Sequence, residues 1–211
     1  MRTFPDFQHD EFKIFKKLNS PHKIQDFLDG IPINFELHGE TYRSPLFTLR
    51  HNEAHCMEGA LLAGAVLWYH GQKPLIVDLN TVRDDENHII TLFRHNGRWG
   101  AFSKTNHAVL RYRDPVYRNV RELAMSYFHE YFKDNGKKTL TSYSVPYNLA
   151  QHGTDWLTTK KNLWNIVSAL DYIPHTKIME HSNRRRLRRA HPIELKAGDI
   201  VEWEKPNKPS T

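Results

Sequence analysis

Apolar positions along this chain recur at two spacings. Three-to-four-residue steps mark helices, and alternation or short solid runs mark strands. Residues 7–18 carry Phe7, Phe12, Ile14, Phe15 and Leu18 as a loose stripe and predict a helix. Ser20-Pro21 predicts a second helix start, because Ser caps and Pro fits the first turn; Ile24, Phe27 and Leu28 follow, and Gly30 stops it. Residues 31–50 look turn-rich, with one alternating strand candidate, Ile33-Asn34-Phe35-Glu36-Leu37. The strongest apolar helix runs over 54–70, with Gly71 as its C-terminal stop and Pro74 blocking continuation. Residues 74–79 then predict a buried strand, 80–87 a polar loop and 88–93 a second strand. Asn96-Gly97, a favoured hairpin turn, returns the chain as a third strand over 98–103.

Asp114-Pro115 predicts a further helix start, with Val120, Leu123, Ala124, Tyr127, Phe128 and Tyr131 as its stripe and Asn135-Gly136 as its end. Residues 139–149 read as extended and 155–170 as a last helix. Past 180 the chain is basic, then strand-like at Asp199-Ile200-Val201-Glu202-Trp203, then a Lys/Pro tail expected to fray. Helices, a meander of strands, then helices again give an α+β class rather than alternating βαβ. The organisation expected is one domain over 1–180, with its core at about 50–110, and a basic extension over 181–211.

Composition narrows the function classes. At 211 residues, 39% hydrophobic and 12% aromatic, the chain can build a proper core. No stretch approaches the roughly 18 apolar residues of a membrane span, and the first residues hold no apolar signal core, so no membrane partner is expected. A single cysteine, Cys56, excludes an intramolecular disulfide and fits the cytoplasm. The net charge of +6 owes much to Arg184, Arg185, Arg186, Arg188 and Arg189. That run could grip the phosphates of a nucleic acid, but no zinc-finger or RNA-binding spacing accompanies it, and a solvated face is the favoured reading. His51 and His55 are four apart, yet the helix start falls between them and no third ligand is evident; no metal and no cofactor are expected.

Cys56 is where chemistry gathers. It opens the apolar helix, where free backbone N–H groups and the helix dipole favour a thiolate, although a small buried apolar residue is the ordinary role of a free cysteine. His88 begins a strand 32 residues later, after the acidic loop Asp84-Asp85-Glu86. A histidine beside a helix N-terminus can act as general base toward the thiol, and a third group then orients its ring. Asn52 is a candidate oxyanion donor with the Cys56 N–H, or equally a helix N-cap. Glu58 falls in the first turn and suits the dipole. Trp99 is core or substrate platform. Gly59 and Gly64 cost helix stability and imply close packing on that helix.

These residues resemble the transglutaminase-like superfamily, which includes peptide N-glycanases and some bacterial cysteine proteases with a papain-like Cys-His site. The resemblance rests on His55-Cys56-Met57-Glu58-Gly59-Ala60, on Leu67 and the Gly71-Gln72-Lys73-Pro74 turn, on the His88 strand and on Asn96-Gly97-Arg98-Trp99. It covers about a quarter of the chain. It implies a cysteine helix packed on an antiparallel sheet with further helices flanking, Cys56 as nucleophile and His88 as base. The family usually has an aspartate four residues after the hairpin tryptophan; here that position is Ser103. Register decides what orients His88. A two-residue turn pairs His88 with Thr105 and puts Ser103 on its face, whereas a three-residue turn brings Asn106 there instead. Asp84 and Asp85 could also swing in from their loop.

Two functions of different class follow. The first is a cysteine-dependent acyl-transfer enzyme, an amide hydrolase or transamidase acting on a peptide, protein or small amide. The alternative, motivated by Ser103, is a catalytically degenerate binding domain that engages acidic partners through the basic C-terminal segment.

Overall fold

The computed structural model describes residues 4–5 and 8–206. Phe7 and the tail beyond 206 lie outside them. The first helix is a 3-10 helix, Asp10–Lys16, rather than α. Phe12, Phe15 and Leu18, all buried, recur every three residues, which is the 3-10 repeat. Helix α1, Pro21–Asp29, begins at its proline and buries Ile24, Gln25 and Leu28. The expected strand at Ile33-Asn34-Phe35-Glu36-Leu37 is absent; one parallel bridge, Ile33 to Ala54, stands in its place. A helix unforeseen in the turn-rich stretch, α2, spans Pro45–His51 after Ser44. Its Ser-Pro start is the signal that marked α1.

Helix α3, Cys56–Tyr69, is the centre of the molecule. Residues 57–68 are all buried, so it is apolar all round rather than striped, as a helix packed on several sides must be. Gly71, at φ +78°, ends the turn that follows. Strand β1 (Leu75–Asn80), β2 (His88–His95) and β3 (Arg98–Ser103) form the expected meander. Asp114-Pro115 does not start a helix but lies in strand β4, Arg113–Tyr117. Proline is tolerated there because β4 is an edge strand with no further ladder to feed. The helix stripe begins later, in α4, Val120–Ser126, capped by Asn119. Strands β5 (Ser142–Ser144) and β6 (Tyr147–Asn148) are followed by a 3-10 turn, Asp155–Leu157, then α5 (Trp164–Tyr172) and β7 (His175–Lys177). The single helix expected over 155–170 is thus two pieces. Asp155 O accepts the N–H groups of Thr158 and Thr159, which closes the first piece.

The fold is α+β. The sheet runs β4-β3-β2-β1-β5-β7, with β6 also on β1, and every pairing between strands is antiparallel. It is covered on both faces. On one side α3 packs over Ile76, Ile89, Phe93 and Phe102, backed by α1, α2 and α5. On the other, Val77, Leu79, Ile90, Leu92 and Ala101 meet Leu123, Ala124, Tyr127 and Tyr131. Gly59 and Gly64 are the close approaches: a Cβ on Gly59 would stand 2.4 Å from Lys104 Cβ, and one on Gly64 3.0 Å from Leu149 Cδ1. Past 180 come α6 (His181–Arg184) and α7 (Pro192–Gly198), and the chain folds back onto the domain, with Ala190 N–H on Gly136 O and Glu202 N–H on Asn106 O. Arg185, Arg186, Arg188 and Arg189 are exposed and Arg184 half-buried. Among the described residues no helix is long and apolar enough to cross a membrane.

Candidate active site

Cys56 occupies the first position of α3, partly exposed, where backbone N–H groups have no intrahelical acceptor. The N-cap is His55, not Asn52. His55 Nε2 lies 2.6 Å from the Thr41 carbonyl and must donate to it, which leaves Nδ1 to accept from Met57 N–H at 3.3 Å. Glu58 closes the capping box on His55 N–H and is fully buried. Its carboxylate also accepts from Asn34 Nδ2, Thr41 Oγ1 and Arg43 N–H, so one side chain fastens the 34–43 loop to the start of α3. Burial without those donors would be costly.

His88 opens β2 and is buried, 6% exposed. The hairpin takes the two-residue register, His95 opposite Arg98 and Ile90 opposite Ser103, which places Ser103 on the His88 face. His88 Nε2 and Ser103 Oγ are 2.7 Å apart. Ser103 Oγ–H donates to the Leu110 carbonyl, and a hydroxyl has one proton, so Nε2 carries the proton between ring and serine. That fixes the tautomer and leaves His88 Nδ1 as the basic nitrogen. Ser103 itself is clamped from outside the sheet: Gln25 of α1 accepts its N–H at 3.1 Å and donates to its C=O at 2.8 Å. Leu110 is held in the left-handed region at φ +61°, its N–H on Glu130 Oε2 at 2.7 Å, while Glu130 Oε1 takes Arg113 at 2.6 Å. Backbone strain of this kind on a non-glycine residue persists only where neighbours over-determine it.

The electrostatics favour a thiolate. Burial alone pushes the Cys56 thiol up, but hydrogen bonds from His55 and then His88, with the charge of both rings, outweigh it and bring the thiol down to about 5. Burial pushes His55 down, yet the hydrogen bond to Cys56 and the charges of Cys56 and Glu58 raise it to about 9. His55 is thus a second positive partner beside the thiolate as well as the cap of α3.

The thiol faces a cleft of about 860 Å³ lined by the 33–36 loop, the acidic loop 84–87, residues 104–110, residues 130–135 and the C-terminal segment. The sequence candidates distribute unequally around it. Cys56, His88 and Ser103 come together. Asn106 lines the cleft but does not orient His88, since its amide is committed to both the N–H and the C=O of Trp203, each at 2.9 Å. Asn52 is exposed and caps the C-terminal end of α2 at φ +51°, so it gives no oxyanion donor. Trp99 sits toward the hairpin end of β3, opposite Tyr117 and under the Arg94 guanidinium, outside the cleft lining. Asp84 is tied to Lys133 at 2.6 Å, and Asp85 Oδ1 accepts Glu86 N–H.

Sequence reasoning missed His55, Gln25 and Leu110. The His55-x-x-Glu58 spacing was the available signal for the first, a capping box with imidazole in place of hydroxyl; Leu110 acts through its carbonyl and the Gln25 amide acts on the main chain of Ser103, 78 residues away, and neither leaves a local signal. A second buried polar cluster lies behind the site on β1. Asp78, 2% exposed, accepts from Asn87 Nδ2 at 3.3 Å and lies 3.2 Å from His175 Nε2, while its Oδ1 has no partner among the described residues. Among those residues no group of three or more His, Cys, Asp or Glu is arranged to hold a metal ion. Compared with models of known protein families and with curated protein sequences, the chain matches none.

Proposed function

We propose that this chain is a cysteine-dependent acyl-transfer enzyme of transglutaminase-like type, with Cys56 as nucleophile and His88 as its acid and base. The observation that carries the reading is the ordered relay His88 Nε2–H to Ser103 Oγ to Leu110 C=O, which aims a basic Nδ1 while the thiol lies at a helix N-terminus. The Cys56 thiol passes its proton to His88 Nδ1, and the sulfur attacks an amide or ester carbonyl; the C–S bond forms as the C=O π bond opens onto oxygen. The Cys56 N–H, at the open end of the helix, faces the oxyanion that results. His88 Nδ1 hands a proton to the leaving nitrogen or oxygen, and that bond breaks to leave a thioester. Water or an amine, deprotonated by the same nitrogen, then attacks the thioester and releases the thiolate. Ser103 supplies no negative charge; it fixes ring and tautomer, the orienting half of what a carboxylate does.

Alkylation by iodoacetamide across pH tests this. The rate is expected to rise through about pH 5 and stay high, and His88→Ala to move the inflection up by about one unit or more. An inflection near the ordinary thiol value of about 8.5, unmoved by His88→Ala, sinks the proposal. With p-nitrophenyl acetate, a burst of nitrophenolate and an acetylated Cys56 are expected, both lost in Cys56→Ser.

A further inference from the structure

Past the end of β3 at Ser103 the chain runs on as irregular residues 104–108, and their outer side is occupied. Residues 198–203 lie along it antiparallel, with His107 bridging Val201. Ala108 N–H donates to Ile200 O at 2.9 Å and Glu202 N–H to Asn106 O at 2.8 Å. Asn106 reads one residue twice, its Oδ1 on Trp203 N–H and its Nδ2 on Trp203 O. His107 Nδ1 donates to Gly198 O at 2.8 Å. All of these contacts go to main-chain atoms of the segment and do not depend on its side chains, proline at 202 or 203 excepted. Among the described residues, the segment's one charged contact is Glu202 on Arg111, at 2.8 Å.

The side chains of that segment are held poorly. Ile200 is 60% exposed and Val201 36%, and the buried indole N–H of Trp203 finds no partner among the described residues. A segment docked mainly by its backbone, with Ile200 and Val201 in water and the Trp203 indole N–H unsatisfied, gains little from its own sequence and is exchangeable. Pairing an extended chain by its main chain, here with a bidentate amide on the N–H and C=O of one residue, is how strand-adding peptide sites work.

We propose that Asn106, His107 and Ala108 form a docking edge for an extended peptide with a carboxylate opposite Arg111, and that residues 198–203 occupy it in cis. Gly198, Asp199 and Lys205 line the same cleft as Cys56, so a chain that replaces this segment enters beside the thiol. The edge is a claim separate from the thiol chemistry, because its test measures binding alone.

Glu202→Pro in the full chain removes the N–H that reaches Asn106 O and the carboxylate that reaches Arg111, and so loosens the cis segment. The probe is a fluorescein-labelled synthetic peptide with the sequence of residues 198–206, followed by fluorescence polarisation. Glu202→Pro is expected to bind it about ten-fold or more tighter than the parent chain, in which the tethered segment competes at high effective concentration. Adding Asn106→Ala, or giving the peptide Lys at the Glu202 position, is expected to weaken binding by about ten-fold. Failure of Glu202→Pro to bind the peptide, or equal binding with and without Asn106→Ala, overturns the proposal. Hydrogen exchange on the unmutated chain covers the case in which the variant does not fold. Millimolar peptide must speed exchange at Glu202 and Trp203 while Ala108 stays protected, and unchanged exchange at all three also overturns it.

Discussion

His88 carries a proton on Nε2 that has one acceptor, Ser103 Oγ, in a buried position. Ser103→Ala strands that N–H, at a cost of about 1–3 kcal/mol. It should lower kcat for p-nitrophenyl ester hydrolysis with little change in KM, while Ser103→Thr, which keeps the hydroxyl, retains most of the rate. Equal loss in both variants would put the role of Ser103 in packing rather than in orienting the ring. His55 is the second lever on the thiol. The Cys56 thiol is depressed in the fold, so its share of stability is complete above the ordinary thiol range and is lost as pH falls through about 5. His55 is raised, so its share is complete below the ordinary imidazole range and is lost as pH rises through about 9. The thiolate–imidazolium pair therefore spans roughly pH 5 to 9, and His55→Ala should move the alkylation inflection upward and cost about 1 kcal/mol as the cap of α3 is lost. Cys56 and His88 were legible in the sequence because helix start and strand start are local signals; Ser103 and Asn106 stayed alternatives until the two-residue hairpin register put Ser103 on the His88 face. Leu110 was not, because its part is played by a carbonyl whose direction depends on φ and on Glu130, twenty residues away.

Among the elements, α3 shows how close packing sets residue choice. Alanine in place of Gly59 would add helix propensity of about 1 kcal/mol, but its Cβ would overlap Lys104 Cβ, and overpacking costs about 1–3 kcal/mol. Lys104 cannot withdraw easily, since its side chain is buried and its Nζ is bonded to the Ile31 carbonyl. Gly59→Ala is therefore expected to lower the melting temperature. Alkylation at neutral pH should slow as well, because Lys104 follows Ser103 and a shift there moves the serine that holds His88; a melting temperature at or above the parent value would show that β3 gives way freely. The strands β1 to β3 and helix α3 were readable from solid apolar runs, Gly71 and Asn96-Gly97. The misread elements share a cause. At β4 a proline permitted by an edge position looked like a helix start, and at α2 the same Ser-Pro signal was passed over because Pro45 to His51 buries Leu46 and Thr48 without a long stripe. Which strand is at the edge, and how short a helix can be, are settled by neighbours that local sequence does not name.

At the scale of the whole molecule, the sheet has a core on each face, which is why β1 and β2 read as nearly unbroken apolar runs rather than alternating ones. Asp78 interrupts β1 with a buried carboxylate. Its register partner is Ile89, on the α3 side, and β7 brings His175 to it from two strands away. Burial pushes the Asp78 carboxyl up to about 6, against the lowering effect of His175. Because the acid is raised in the fold, the protonated form suits the interior. The cost of the carboxylate is felt above about pH 6 and vanishes as pH falls below the ordinary carboxylate range. His175 Nδ1–H is committed to the Ile173 carbonyl at 2.8 Å, so a neutral ring offers Nε2 as an acceptor. An amide at position 78 can donate to that nitrogen and carries no charge. Asp78→Asn is thus expected to stabilise the protein at pH 8, by an amount on the order of 1–3 kcal/mol, and to melt with the parent chain near pH 4. Calorimetry at the two pH values checks it. A lower melting temperature for Asp78→Asn at pH 8 would mean that a charged Asp78–His175 pair fastens β7 to the rest of the sheet, with the unpartnered Oδ1 tolerated to keep it.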